Sequence, residues 1–543
     1  MQKMDKVVNL FSRIQTSLEC NNVAGFFLKP KQVACWESLL NGHDVLAVLP
    51  TGYGKSLIYQ LLPDFLPRKC FQNIVIVVTP LTSIIEDQIK TMEAQCVPAG
   101  VLNTEREETS EIISLFSKDI THKIQITENV KLGKIKILFS HPESILSAEG
   151  MRLLKSPIFR QNVAACVIDE AHCVELWGED FRKSFGDLAT LKALFPTAVT
   201  LALTATAPLA MVEKITDSLS ISSCKIVRSS PNRPNIKLTV RKRMPNNYSK
   251  ASYDEILLPM TKGLNRLREK FPMTIIYMKL KYCGYAFKLF NSKIKDPFVG
   301  ENCVPANRLF AQFHAPTTKL MKYDIIEEIR KENSNIRVIF ATAALGMGVN
   351  IPHVTKVIHI TPPATLESYL QEFGRAGRNG NSSSAIIYYN NSDISENNKI
   401  MSTAMKEYCT TTNCLRKTIL TYFGFSCQAQ VSCCSNCNGD ENHCEDKELN
   451  HIEKKTFRPL DGVNFEKLRK ELFEVKIQSE LALFHVLPQQ EYNSKCIEDI
   501  LQQLQYINTL DDMFDKFGIC DETYSKYIYM TLLNVMLLGV KNL

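Results

Sequence analysis

The sequence predicts an α/β protein with two tandem, doubly wound parallel-sheet lobes, then a small helical cysteine-bearing module and a helical tail. Three observations carry this. Short apolar runs rich in β-branched residues alternate with helical patterns along most of the chain. Those runs end in Gly, Pro or acidic turns, at the carboxyl edge where open α/β sheets place ligands. At 543 residues the chain is too long for one core, and several of its 18 cysteines crowd together late in the sequence.

Composition narrows the class. A hydrophobic content of 45% and a charged content of 22% are ordinary for soluble globular protein. The net charge of +7, from 64 basic and 57 acidic residues, permits a nucleic-acid partner without requiring one. No apolar segment has the length of a bilayer span, and Met1 to Phe11 lacks a signal-peptide core, so no membrane partner is expected. A nuclear location is expected, with the cytoplasm as the alternative. In such a reducing compartment a cysteine cluster means metal rather than disulfides.

Taken in order, an amphipathic helix covers Val33 to Leu40 and ends in the turn Asn41-Gly42-His43-Asp44. The strand Val45 to Leu49 runs into Pro50-Thr51-Gly52-Tyr53-Gly54-Lys55-Ser56 and a second helix. Strand, glycine loop, helix is the context of a phosphate-binding loop. Thr51, Gly52 and Gly54 let backbone N–H groups close on phosphates, Lys55 reaches the β/γ-phosphates, and the Ser56 hydroxyl sits on Mg²⁺. The general pattern asks for Gly where Leu49 stands.

Further strands are expected over Asn73 to Val78, ending in Thr79-Pro80-Leu81-Thr82-Ser83, and over Ile135 to Phe139, ending in Ser140-His141-Pro142-Glu143. Ala198 to Leu203 makes another, ending in Thr204-Ala205-Thr206. Between the last two, the run Ala164 to Ile168 delivers Asp169 and Glu170 to its carboxyl end. Adjacent buried carboxylates are costly unless a cation faces them, and Mg²⁺ with nucleotide phosphates meets that need.

These motifs resemble those of superfamily 2 helicases, and specifically the RecQ family of DNA helicases. The loop Trp177-Gly178-Glu179-Asp180-Phe181-Arg182, directly after Asp-Glu-Ala-His-Cys, resembles that family's aromatic-rich DNA-coupling loop, with Glu179 where the family usually has His. The resemblance spans residues 20–445 and implies two RecA-like lobes that hydrolyse ATP with Mg²⁺. Lys29 and Gln32 fall on the adenine-reading motif, Lys29 standing where the family usually has Arg. Asp169 would hold Mg²⁺, Glu170 would orient and deprotonate water, and His172 with Thr204 and Thr206 would relay nucleotide state to DNA.

In the second lobe, residues 231–262 read as the crossing between lobes, and Lys279 to Val304 as a possible insertion. Strands follow at Met273 to Tyr277, Arg337 to Phe340 and Lys356 to Ile360. The segment from Glu367 carries Gln371, Arg375 and Arg378, and the two arginines would share one face of a helix continued through Gly377. In Gln-x-x-Gly-Arg-x-Gly-Arg they read as arginine fingers, with all six of Lys55, Asp169, Glu170, Gln371, Arg375 and Arg378 as the catalytic set. Single-stranded DNA would cross the turns at Pro80 to Ser83, His141 to Glu143 and Thr342 to Gly348.

Asn379 to Asn398 reads as a polar connection into the cysteine module. Cys434-x-x-Cys437 has zinc-ligand spacing, and the resemblance adds Cys414 and a last ligand position occupied here by Asp440. Asp440, Cys444, Cys433 and His443 all remain candidates for the fourth ligand of a structural Zn²⁺. The expected divisions are 1–228, 229–392, 393–445 and 446–543, the last helical and either a divergent winged helix or simple packing. The activity implied is ATP-driven 3′ to 5′ travel on single-stranded DNA with unwinding of forked or tailed duplexes, in recombination, repair or replication. An RNA-directed helicase and a non-catalytic DNA-binding scaffold are the alternatives.

Overall fold

The structure is a computed structural model describing residues 29–67, 73–95, 97–102, 129, 135–174, 183–245, 249–300, 303–345, 351–427 and 433–438. It also describes the short stretches 466–472, 497, 500–502, 507 and 528–532. Two all-parallel sheets organise it. The first contains β1 (Val45–Val48), β2 (Ile74–Val78), β3 (Ala99–Leu102), β4 (Ile137–Ser140), β5 (Val163–Ile168), β6 (Val199–Thr204) and β7 (Lys225–Arg228). Their spatial order is β3-β4-β2-β5-β6-β1-β7. The central strands are buried along their whole length, as expected of parallel strands covered by helices on both faces.

Register aligns the carboxyl ends. Val48 pairs with Thr204, and Val78 pairs with both Ile168 and Ser140. The glycine loop, the Pro80 turn, Asp169 and the Thr204 turn therefore emerge along one edge of the sheet.

The second sheet holds β8 (Ile236–Lys242), β9 (Thr274–Tyr277), β10 (Phe310–Phe313), β11 (Val338–Ala341), β12 (Lys356–His359) and β13 (Ser383–Tyr389), ordered β10-β11-β9-β12-β13-β8. Two expectations are corrected here. The crossing assigned to residues 231–262 contains the edge strand β8 and most of a helix, Ser249–Leu267. The polar connection from Asn379 contains β13, paired with β12 on one side and β8 on the other. Both strands mix buried and partly accessible side chains, so polar residues interrupt the apolar run that marks a fully buried strand. The stretch suspected of an insertion is largely a helix, Leu280–Lys293, whose Phe290 packs edge-on against Phe310 and Phe340.

The cysteine module shares the second lobe's core. Met405, Tyr408, Leu415, Ile419 and Phe423 are buried in one cluster with Ile236, Leu238, Tyr369 and Phe373. The Leu238 N–H donates to the Cys433 carbonyl at 3.3 Å, so the Cys433-Cys434 segment covers the open edge of β8.

Candidate functional site

The glycine loop leaves β1 and enters the helix Lys55–Gln60 through two residues of positive φ, Gly52 at 79° and Gly54 at 86°. Thr51 and Ser56 are half-buried on either side of them. Lys55 Nζ donates to the Leu49 carbonyl at 3.3 Å, which curls the ammonium back over the loop. Gln32 is fully buried: its Nε2 donates to the carbonyls of Tyr53 and Gly54 at 3.2 and 2.9 Å, while its Oε1 accepts from the Lys29 N–H at 2.8 Å. Lys29 Nζ donates to Gly52 O at 3.0 Å and lies 4.8 Å from the centre of the Tyr53 ring. The two residues expected at the adenine thus also shape the phosphate loop.

Asp169 continues the β5 ladder, its N–H donating to Val78 O at 2.8 Å. Its side chain is buried, and burial followed by repulsion from Glu170 pushes its carboxyl up to about 6, against the pull of Lys55. Glu170 adopts φ 51°, an uncommon conformation for a non-glycine residue, with its N–H capped by Asp169 Oδ1 at 2.9 Å. Glu170 Oε2 is buried with no hydrogen-bond donor among the described residues; His172 Nδ1 stands 3.4 Å away, but its hydrogen bond is with Thr204 Oγ1 at 3.0 Å. Burial and then Lys55 lower the imidazole to about 4, so His172 is neutral at physiological pH. Thr204 Oγ1 accepts from the Thr206 N–H at 3.2 Å, and Thr204 O accepts from the Leu49 N–H at 2.9 Å. Loop, acids, His172 and the Thr204 turn form one connected network. Its geometry fits a nucleotide with Mg²⁺, since the buried Asp169 carboxyl feels the lysine of the phosphate loop and the adjacent Glu170 has an oxygen without a donor among the described residues.

In the second lobe the helix Leu366–Phe373 carries Gln371 in its last turn and stops at Gly374. Arg375 and Arg378 therefore leave from a non-helical turn, which corrects the shared helical face. Gly377 within it has φ 58°, and a Cβ there would come 2.4 Å from Asn235 Nδ2, so the turn is built around a glycine. Arg375 is buried beside Tyr277, whose ring stacks on His359, and His359 Nε2 meets Glu372 Oε2 at 2.8 Å. Burial, then Arg375 and Arg233, draw Arg378 below its ordinary value. Pro50, Thr51, Ala205 and Thr206 of the first lobe line one cleft with Pro231, Arg233, Leu370 and Gly374. Sequence reasoning missed Arg233, Asn235, Tyr277, His359 and Glu372; the Arg-Pro-Asn string at 233–235 was the available signal.

The turns expected at DNA follow strand carboxyl ends. Pro80 is buried after β2, and His141 ties that turn to β4, its Nδ1 at 3.0 Å from Thr79 O and its Nε2 at 3.2 Å from Thr82 Oγ1. Thr342 follows β11, its N–H donating to Phe313 O at 3.2 Å. Trp177, Phe181 and Arg182 lie outside the described residues, as do Gly346 to Asn350.

Cys414, Cys433, Cys434 and Cys437 bring four sulfurs within 4.8 Å of one another. Sγ separations are 3.4 Å for Cys414–Cys433, 3.9 Å for Cys414–Cys434, 3.9 Å for Cys433–Cys437 and 3.5 Å for Cys434–Cys437. Tetrahedral Zn–S bonds of about 2.3 Å would set sulfurs about 3.8 Å apart, so the donor set fits zinc. Burial opposes the Cys414 thiolate, yet backbone hydrogen bonds at Lys417 and Arg416 and the neighbouring thiols bring it down to about 7. Burial and adjacent thiols push Cys433 up to about 11, so four thiolates together call for a cation. Asp440, His443 and Cys444 lie outside the described residues.

Comparison with known proteins agrees with this geometry. Residues 29–215 match the DEAD/DEAH box helicase family, 291–380 the helicase conserved C-terminal domain and 381–438 the RecQ zinc-binding family. The ATP-dependent DNA helicase RecQ of Haemophilus influenzae is 30% identical over 416 residues, covering 74% of this chain and 59% of that protein. The chain belongs to the RecQ family of superfamily 2 helicases. A family relative from Acanthamoeba polyphaga mimivirus, named a putative ATP-dependent RNA helicase, is 29% identical over 427 residues, covering 76% of this chain and 69% of that protein. The helicase Lhr of Mycobacterium smegmatis, solved with single-stranded DNA and AMP-PNP, shares the fold at TM-score 0.50 and 18% identity, over 70% of this chain and 48% of that one. The chain spans about three fifths of the length of the bacterial relative it matches. Among the described residues, no helix is long and apolar enough to cross a membrane.

Proposed function

We propose that this chain is an ATP-dependent DNA helicase that travels 3′ to 5′ on single-stranded DNA and separates forked or tailed duplexes. One observation carries the reading: the phosphate loop and Thr206 turn of one lobe share a cleft with Leu370 and Gly374 of the other, next to the two arginines. A nucleotide there is held by both lobes, and hydrolysis alters what holds them together.

In this reading Lys55 neutralises the β/γ-phosphates, Lys29 and Gln32 sit at the base, and Ser56 with Asp169 holds Mg²⁺. Mg²⁺ bound there would supply Lewis-acid neutralisation of the phosphate charge. Glu170 accepts the proton of the attacking water through the oxygen that no protein donor occupies. Gln371 orients that water's surroundings from the helix end, and Arg375 with Arg378 stabilises charge at the transferred phosphoryl. His172, kept neutral, passes the change at Glu170 to Thr204 and on to the DNA-facing turns. Zinc is structural, held by Cys414, Cys433, Cys434 and Cys437.

Lys55→Ala should abolish nucleic-acid-stimulated ATP hydrolysis, which separates this reading from a non-catalytic scaffold. The mimivirus relative's name makes RNA the rival substrate, so stimulation by single-stranded DNA and RNA should be compared directly. Unwinding of 3′-tailed but not 5′-tailed duplexes tests activity and direction together. Action in recombination, repair or replication in the nucleus belongs to the same proposal, and imaging of the tagged protein tests the location.

A further inference from the structure

Arg375 and Arg378 hang from a turn that begins beside Gly374, a residue lining the cleft between the lobes, and that turn has little regular structure of its own. Within it, Gly377 N–H donates to Val354 O at 2.8 Å and Gly380 N–H to Gly377 O at 3.0 Å. Those bonds leave the carbonyls of Gly374 and Ala376 to be satisfied from elsewhere, and Gly377 O with a second lone pair to fill. All three accept from a single side chain in the segment that joins the lobes. Arg233 Nη1 donates to Gly374 O at 3.1 Å, and Nη2 donates to Ala376 O at 2.9 Å and Gly377 O at 2.7 Å. Asn235 Nδ2 adds bonds to Gly377 O and Asn381 O, both at 2.9 Å.

A planar guanidinium suits this task because its fixed fork meets several acceptors at once, which an ammonium cannot. The carbonyl dipoles in turn offset the charge of a guanidinium packed near Arg375 and Arg378. Arg233 is itself held from behind: its carbonyl accepts from Arg416 Nη1 at 2.9 Å, and the same Nη1 donates to Asn232 Oδ1 at 3.0 Å. Arg416 is buried and also donates to Ile236 O and Cys433 O, so the chain of contacts runs from the cysteine cluster to the arginine turn.

We propose that Arg233 is the positioning residue of the Arg375–Arg378 turn, setting where both guanidiniums meet the transferred phosphoryl group. The assignment rests on the ATPase reading above. Arg233 lies on the connection between lobes and lines the cleft with Pro50 and Thr51, so placement of the arginines follows the conformation of that connection. A displacement of the order of 1 Å in such a group costs about 100-fold in rate.

The test uses the full chain as wild type, Arg233→Ala, Arg233→Lys and Lys55→Ala, assayed for ATP hydrolysis at saturating single-stranded DNA. Both Arg233 variants should lose about 100-fold in kcat with KM for ATP and ADP affinity little changed. Trapping of ADP with aluminium fluoride, a mimic of the transferred group, should weaken in parallel. Lysine should rescue little, since one ammonium cannot replace the fork. If Arg233→Ala lowers the thermal midpoint, Arg233→Lys decides the matter. A kcat within threefold of wild type with intact fluoride trapping would overturn the proposal, as would parallel loss of nucleotide binding and turnover in both variants. If wild type shows no hydrolysis that Lys55→Ala removes, the ATPase reading itself falls and this assignment falls with it.

Discussion

Substituting Cys433 distinguishes the ligand set brought together in space from the one that family spacing implies. In the proposed site four thiolates would share a structural zinc; with an apparent binding free energy of about 10–16 kcal/mol for such sites, each ligand would carry roughly 2.5–4 kcal/mol. Cys433 stands 3.4 Å from Cys414 Sγ and 3.9 Å from Cys437 Sγ, close to the roughly 3.8 Å of a tetrahedral thiolate site. Cys433→Ser should therefore weaken zinc by about 100- to 1000-fold. Asp440→Asn should leave it unchanged. The assay is zinc content per chain by elemental analysis after dialysis against a graded series of competing chelators, with thermal midpoints taken alongside. The midpoint should fall in Cys433→Ser and no longer respond to chelator, because metal binding in such modules is also folding energy. Full zinc retention in Cys433→Ser combined with loss in Asp440→Asn would refute the reasoning and return the fourth position to the family pattern.

Three further outcomes can be measured directly. Arg416→Met should cost about 3–5 kcal/mol in denaturant unfolding, because the backbone carbonyls of Arg233, Ile236 and Cys433 lose a charged donor; a loss below 1 kcal/mol, on the same scale, would refute it. His172 binds a proton in the unfolded chain below its ordinary value of 6.5 but in the fold only near 4, so its contribution makes stability fall as pH drops through that window. His172→Gln should flatten that acid limb relative to wild type, while the opposite contribution of Asp169, whose raised carboxyl favours the fold at lower pH, stays in both proteins. Between the lobes, Arg330 meets Asp87 at 2.8 Å with both side chains partly exposed, so a double-mutant cycle should return about 0.2–1 kcal/mol, shrinking in high salt.

Much of the first lobe was legible in the sequence. Buried parallel strands write themselves as uninterrupted β-branched runs, and β1, β2 and β5 each end in a motif whose chemistry depends on neighbours in the chain. Gly52, Gly54, Lys55 and Ser56 fall within five consecutive positions, and Asp169 adjoins Glu170, so local spacing was enough to read them. The edge strand β8 and its neighbour β13 were hidden because partly accessible positions mix polar residues into the pattern. The arginine turn looked helical because Gln371, Arg375 and Arg378 keep helical spacing, whereas the helix stops at Gly374.

What the sequence determined by itself was the class of chemistry: a phosphate loop, a carboxylate pair, two arginines and a set of thiols, each encoded over a few residues. Only the tertiary structure decided how those parts are held. Arg233 reaches Gly377 across 144 positions, and Arg416 reaches Arg233 across 183. Contacts between residues so far apart leave no periodicity in the chain, because they depend on two sheets and a module packing before any of their atoms can meet. The same reason brought Cys433 into the thiol cluster, since only the pairing of its segment along β8 turns its sulfur toward Cys414.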